Sequence, residues 1–196
     1  MLVREVMTRE PVTVRPETHV KQALRLLDTH SITMVPVITA DSVIVGVLSE
    51  ADAIRGRVLP DVRGSMLPPD TSHTDDALET VGAVMTQRVV TVTADADVAE
   101  AADLMLSSGV KSLPVLDEEH RMVGIVSRRD IVRALARADR DVERELGELF
   151  RDLGTSWMAT ADEGAVTITG PVGDKERSPA LAAASTVPGI VHVRIE

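Results

Sequence analysis

The sequence repeats itself. Aligning Val6-Met7-Thr8 with Val84-Met85-Thr86 sets an offset of 78 residues, which holds without a gap as far as Asp52 and Asp130. Along it Val12-Thr13-Val14 falls over Val90-Thr91-Val92, Pro36-Val37 over Pro114-Val115, and Gly46, Ser49 and Asp52 over Gly124, Ser127 and Asp130. One structural unit of roughly 50 residues is therefore written twice. Units of that size bury too little surface to stand alone, so the two are expected to pack together.

Each unit reads as strand, helix, strand, strand, helix. "PVTVRP" is a short β-branched run closed by Pro16. Residues 18–29 place Val20, Ala23, Leu24 and Leu27 at helical spacing behind Thr18 as N-cap. In the second unit Asp95 or Asp97 caps, and Val98, Ala101, Ala102 and Met105 repeat the stripe. "MVPVI" and "SLPVL" have strand length, and "SVIVGVLS" and "RMVGIVS" follow as second strands. "EADAIRGR" and "RRDIVRALAR" read as closing helices, with Ser49 and Ser127 at their N-termini.

The units fall at residues 1–57 and 79–136, joined by a linker at 58–78 rich in Pro, Gly, Ser and Asp. Residues 137–196 are different. A helix carrying Val142, Leu146, Leu149, Phe150 and Leu153 leads, then a strand and turn at "GAVTITGPVGD", a helix at "KERSPALAAAST" and a final strand at "VPGIVHVRIE". That is enough for one small α/β module.

Composition narrows the function. The formal net charge of −10 argues against a nucleic-acid partner and against contact with anionic membrane. The absence of cysteine removes disulfides and thiolate metal sites, and five scattered histidines show no i, i+4 pairing, so no structural metal is expected. No apolar run approaches a membrane span, which makes a cytoplasmic location the expectation. No histidine neighbours Ser49 or Ser127 in sequence, and no nucleophile–base grouping appears. Catalysis is not expected.

The repeated Gly, Ser and Asp suit binding. Glycine lets backbone approach a ligand closely, a serine at a helix start sits beside unpaired amides, and an aspartate one turn on can accept both ribose hydroxyls. The same residue types also serve as a plain helix cap, and the motif alone leaves both readings open.

Val-Met-Thr, Val-Thr-Val, an amphipathic helix, apolar-Pro-Val and Gly-x-x-Ser-x-x-Asp, in order and twice, resemble the cystathionine β-synthase (CBS) domain. Residues 3–54 carry one copy and residues 81–133 the second, as in a tandem Bateman module. The resemblance implies an α+β fold: two β-α-β-β-α repeats packed as a pseudo-twofold pair, with clefts that take AMP, ADP, ATP or S-adenosylmethionine. It also implies cross-lined sites. Site one joins Thr8, Val12, Thr13, Ile32 and Thr33 to Ser127, Arg128 and Asp130. Site two joins Thr86, Val90, Thr91, Val110 and Lys111 to Ser49 and Asp52. Arg128 and Arg129 between Ser127 and Asp130 favour phosphate at site one, whereas site two has Glu50 and Ala51 there and Lys111 near the base. Site one is expected to be the stronger. A homodimer is expected too, since such pairs associate.

"EGAVTITG" at 163–170, Val-Pro-Gly-Ile-Val-His-Val at 187–193 and the leading helix resemble a BON domain. That family is often tied to membranes or envelope proteins, but this copy carries 7 Lys and Arg against 11 Asp and Glu from residue 137 on. Protein contact or ligand sensing fits it better than lipid. The expected function is a regulatory adenine-nucleotide sensor acting on an unidentified protein partner, the alternative a ligand-independent dimerisation scaffold.

Overall fold

A computed structural model of the chain describes residues 1–55, 79–170 and 173–196. The linker expected at 58–78 lies outside the described residues. The first repeat comprises α1 (Val3–Val6), β1 (Thr8–Arg9), α2 (Val20–His30), β2 (Met34–Ile38), β3 (Ile44–Ser49) and α3 (Glu50–Ile54). The second comprises α4 (Val81–Val84), β4 (Val92–Thr93), α5 (Val98–Ser108), β5 (Ser112–Leu116), β6 (Met122–Ser127) and α6 (Arg128–Leu135). Equivalent helices and the β2/β5 and β3/β6 strands begin 78 residues apart, as the sequence offset requires.

The chain divides into two compact units, and neither follows the repeat boundary. One holds Met1–Met7, Asp95–Ser107 and Val126–Glu196; the other holds Thr8–Ala94 and Ser108–Ile125. The short opening helix of each repeat docks on the other repeat. In the first unit the Val3 amide donates to the Ala96 carbonyl at 2.9 Å and Val98 to Met1 at 3.0 Å. In the second, Val81 donates to Thr18 at 2.8 Å and Val20 to Glu79 at 2.9 Å. The second unit also pairs β1 with β6 (Thr8 opposite Ile125) and Val47 with Thr86, again equivalent positions. Each repeat thus completes the other's hydrogen bonding, which is how units too small to stand alone satisfy their chain ends.

β2 and β3 form an antiparallel pair, and their apolar positions face α2: Val35, Val37, Leu48, Val20, Ala23 and Leu27 are buried in one aliphatic core. Two local expectations need correction. "PVTVRP" is not a full strand. Val14 makes a single parallel bridge to Val37, between Pro11 and Pro16, which lack the donors a longer ladder needs; its counterpart β4 extends to two residues beside β5. Thr18 does not cap α2 either. Its hydroxyl accepts from the Arg15 amide at 3.0 Å, and His19 occupies the cap position. In the second repeat Asp97 does cap, accepting from the Ala99 amide at 2.8 Å.

The C-terminal module is α7 (Asp139–Asp152), β7 (Met158–Asp162), β8 (Ala165–Thr169), α8 (Asp174–Ala184) and β9 (His192–Ile195), with sheet order β7-β8-β9. β7 was not anticipated, because Met-Ala-Thr-Ala-Asp offers only two small residues to the core side. Val142, Leu146 and Phe150 of α7 pack on Val166, Ile168 and Ala180, while Leu153 is left exposed. Trp157 stands edge-on to Phe150 with ring centroids 5.5 Å apart, joining helix to sheet as its size and solitude suggest. Asp139 ties the β7–β8 turn to α7, accepting from the Glu163 and Gly164 amides at 2.8 and 2.9 Å.

Candidate functional site

The repeated Ser and Asp form the same device twice. The Ser49 hydroxyl donates to Oδ2 of Asp52 at 2.7 Å, the Ser49 amide donates to the same oxygen at 3.2 Å, and the Asp52 amide returns a bond to Ser49 Oγ at 3.2 Å. Ser127 and Asp130 repeat the pattern at 2.6, 2.9 and 3.4 Å. Both are reciprocal capping boxes, so the capping reading is realised at each helix start. Asp52 has a further partner from the other repeat: Thr86 Oγ1 donates to it at 3.4 Å.

The repeated glycine works differently from the expectation. Gly46 is buried against the Met85–Thr86 segment, not opened to a ligand; it admits protein backbone at close range.

Around Ser49 and Asp52 the second unit encloses a cavity of about 340 Å³. Its walls come from the end of β3, the first turn of α3, residues 86–90 on the way to β4, and residues 109–112 leading into β5. Of the residues expected at site two, Ser49, Asp52, Thr86, Val90, Val110 and Lys111 line it, while Thr91 does not. Thr33, expected at site one, also lines this cavity, and its carbonyl accepts from the Glu50 amide at 3.0 Å. Most of the lining is aliphatic (Met34, Val47, Val89, Val90, Val110), with charge at Glu50, Asp52, Arg88 and Lys111.

Arg88 escaped the sequence reading. It lies two residues beyond the Thr86 that pairs with Val47, at a position that no repeated motif marks. Its counterpart at the 78-residue offset is Glu10, a difference visible in the sequence once the cavity draws attention to it.

The residues expected at site one divide between the units. Thr8, Val12, Thr13, Ile32 and Thr33 belong to one, and Ser127, Arg128 and Asp130 to the other. Within its own unit Arg128 donates to the Met105 carbonyl at 3.0 Å, and Asp130 accepts from Arg133 at 3.5 Å. Among the described residues no cluster of His, Asp and Glu could hold a metal ion, and no helix is long and apolar enough to cross a membrane.

A duplicated α/β unit whose copies exchange their opening segments and end in Ser/Asp caps is the architecture of the CBS pair. The chain belongs to the CBS domain family, whose model matches residues 3–58 and 81–137. It is 30% identical over 154 residues to an uncharacterized protein of Methanocaldococcus jannaschii, covering 69% of this chain and 91% of the relative. It is similar in structure to CBSX2 of Arabidopsis thaliana, solved in complex with AMP, at 30% identity and a TM-score of 0.56, covering 68% of this chain and 94% of that one. It is also 30% identical over 129 residues to an inosine-5'-monophosphate dehydrogenase of M. jannaschii, covering 66% of this chain but only 22% of the enzyme.

Proposed function

We propose that this chain is a regulatory module, without catalysis of its own, that binds an adenine nucleotide (AMP, ADP or ATP) in the cavity around Asp52. The observation that carries the reading is the cavity itself. Its lining is mostly aliphatic, suited to a purine, and includes the Asp52 carboxylate, suited to paired sugar hydroxyls. The AMP complex of a relative at 30% identity supports the ligand class. S-adenosylmethionine shares the adenosine part and belongs in the same test. The 137–196 module, whose α-β-β-α-β order supports the BON likeness, is the proposed contact for a protein partner.

The sequence ranks the cleft of Asp130 first, through Arg128 and Arg129; the cavity ranks Asp52 first, since its walls supply Arg88 and Lys111. Calorimetric titration of wild type, Asp52→Ala and Asp130→Ala with each nucleotide decides. Losing two charge-assisted bonds to the sugar, at roughly 1.5–3 kcal/mol each, weakens binding at least about tenfold. Asp52→Ala is expected to show that loss. If only Asp130→Ala shows it, the nucleotide site is the other cleft; if wild type gives no heat with any ligand, the sensor reading fails.

A second reading, a dimerisation scaffold, is favoured by one observation: both Ser/Asp pairs are engaged in capping. Dimerisation is part of either reading. Leu106, Val132 and Leu135, exposed to 68%, 62% and 46%, give the helices of the second repeat an apolar surface to cover. A monomeric mass by light scattering at tens of micromolar would count against both.

A further inference from the structure

We infer that the free edge of β9, with the apolar groove beside it, is a strand-addition site for an extended segment of a partner protein. The inference rests on the reading of the 137–196 module as a partner contact, and adds where the partner binds and in what form.

β9 is an outer strand. The module's sheet runs β7-β8-β9, and no further strand pairs with β9 among the described residues. Its pairing with β8 is parallel, and the Glu196 amide donates to the Ile168 carbonyl at 2.9 Å. Backbone groups alternate in direction along a strand, so His192 and Arg194 turn theirs to β8 as well, while Val193 and Ile195 turn theirs outward. The Ile195 carbonyl agrees, accepting from Arg177 of α8 at 3.0 Å. The Val193 amide and carbonyl and the Ile195 amide remain on the open edge. The other edge is guarded: on β7 the Ala161 amide donates to the Glu143 carboxylate of α7 at 2.7 Å, where a further strand would bond.

β9 borders a cavity of about 620 Å³ instead. Residues 187–193, which run into β9, line it together with Ala99 and Ala102 of α5, Ile131 and Leu135 of α6 and Leu181 of α8, all within the first unit. Arg137 braces this stretch, donating to the Pro188 carbonyl at 3.2 Å and to Glu145 at 2.6 Å. Leu135, Leu181 and Val191 are left exposed there. An extended segment answers both features at once, since its main chain pairs with the edge while alternate side chains enter the groove. A helix keeps its main-chain bonds to itself, and a small apolar molecule has nothing to pair with the edge. Among the described residues lining the cavity there is no lysine or arginine, and Asp97 brings a carboxylate, so the segment that fits has basic rather than acidic flanks.

The probe is a fluorescein-labelled seven-residue peptide of alternating valine and threonine with a lysine at each end, titrated into the full chain and read by anisotropy. Saturable binding is expected. An analogue N-methylated at every valine and threonine keeps the side chains but loses the main-chain donors, and it should bind at least about tenfold more weakly. Leu181→Gln and Val191→Gln should each weaken binding several-fold. Met158→Gln, exposed on the guarded strand, should not. An unchanged unfolding midpoint by Trp157 fluorescence shows that the three variants are folded. Equal binding of both peptides overturns the inference, since the groove then holds apolar side chains without pairing a strand. A loss caused by Met158→Gln alone overturns it too, but leaves the partner reading standing with its contact at β7. A peptide that dissociates a dimer of the chain puts a second copy on the edge in place of the partner, and the inference falls. Binding of neither peptide overturns the inference and the partner reading together.

Discussion

Gly46 and Met85 touch at the limit of what backbone allows: a Cβ placed on Gly46 would lie 2.5 Å from the Met85 sulfur and 3.1 Å from the Thr86 carbonyl oxygen. The glycine of the duplicated motif is therefore the seat for the opening segment of the other repeat. Met85 could swing its sulfur aside, but the Thr86 carbonyl is fixed by its bond with Val47 at 2.9 Å. Gly46→Ala is expected to destabilise the fold by about 1–3 kcal/mol, the range for overpacking a fitted contact. Because Thr86 and Arg88 line the cavity, AMP binding should weaken as well. Urea unfolding and titration of the same sample check both, and an unchanged unfolding midpoint refutes the contact.

The Ser49 cap has its own energetic signature. Ser49→Ala removes the acceptor for the Asp52 amide and the donor to its carboxylate, a loss of roughly 0.5–2 kcal/mol for a helix N-cap. Ser127→Ala should cost a similar amount, because the second box has the same bonds. A large difference between the two variants in denaturant unfolding would mean that one serine has a further partner.

Much of the fold was legible because duplication checks itself. A helix at 20–30 and another at 98–108 support each other, as do the equivalent β2 and β5 strands. The exchange of opening segments was not legible. Val3 and Val81 look like ordinary apolar residues, and only three-dimensional packing shows that each bonds to the other repeat. The site was half legible. Ser49, Asp52, Thr86 and Lys111 could be named from the motif and its resemblance, but Arg88 could not, since nothing local marks a side chain that faces a cavity. β7 was missed for a simpler reason: its inward residues are alanines, too small to give an alternating pattern.

The turn between β5 and β6 should respond to acid. The Asp117 carboxyl is held below its ordinary range, chiefly by the Arg121 amide, which donates to it at 2.8 Å, and then by the Arg121 guanidinium at 3.0 Å. A depressed folded-state value means stability that is present at neutral pH and lost as pH falls through the carboxylate range. The same pair raises Arg121, which stays charged throughout and contributes no pH dependence of its own there. The stability gap between wild type and Asp117→Asn should therefore be constant near neutrality and narrow on acidification. Chemical unfolding at a series of pH values measures it, and a gap independent of pH contradicts the assignment.

Phe150 anchors the C-terminal module. It is 1% exposed, and Trp157 meets it edge-on. Phe150→Ala should cost about 3–5 kcal/mol, the usual loss for an aromatic side chain removed from a core. Trp157 is the chain's sole tryptophan, so its fluorescence reports on this module alone. The variant should lower the unfolding midpoint seen by fluorescence; no shift would show that Phe150 is not the centre of this core.

Ligand stabilisation separates the two duties of the Ser49–Asp52 pair. A ligand that binds only the folded chain stabilises it by RT ln(1 + [L]/Kd), or about 2.7 kcal/mol at a hundredfold excess over Kd. For a chain of this size that is a rise in Tm of about 5–10 °C. AMP should produce it in the wild type. Ser49→Ala lowers the ligand-free Tm by loss of the cap, yet it leaves the Asp52 carboxylate in the cavity, so the AMP-induced rise should survive at matched saturation. Asp52→Ala removes both the cap's reciprocal bond and the acceptor for the sugar hydroxyls; its ligand-free Tm falls and the AMP-induced rise shrinks by about half or more at the same AMP concentration. Differential scanning calorimetry of the three proteins, with and without AMP, gives all six numbers. If Ser49→Ala shrinks the rise as much as Asp52→Ala does, the cap and the ligand site are one property and the carboxylate does not hold the sugar.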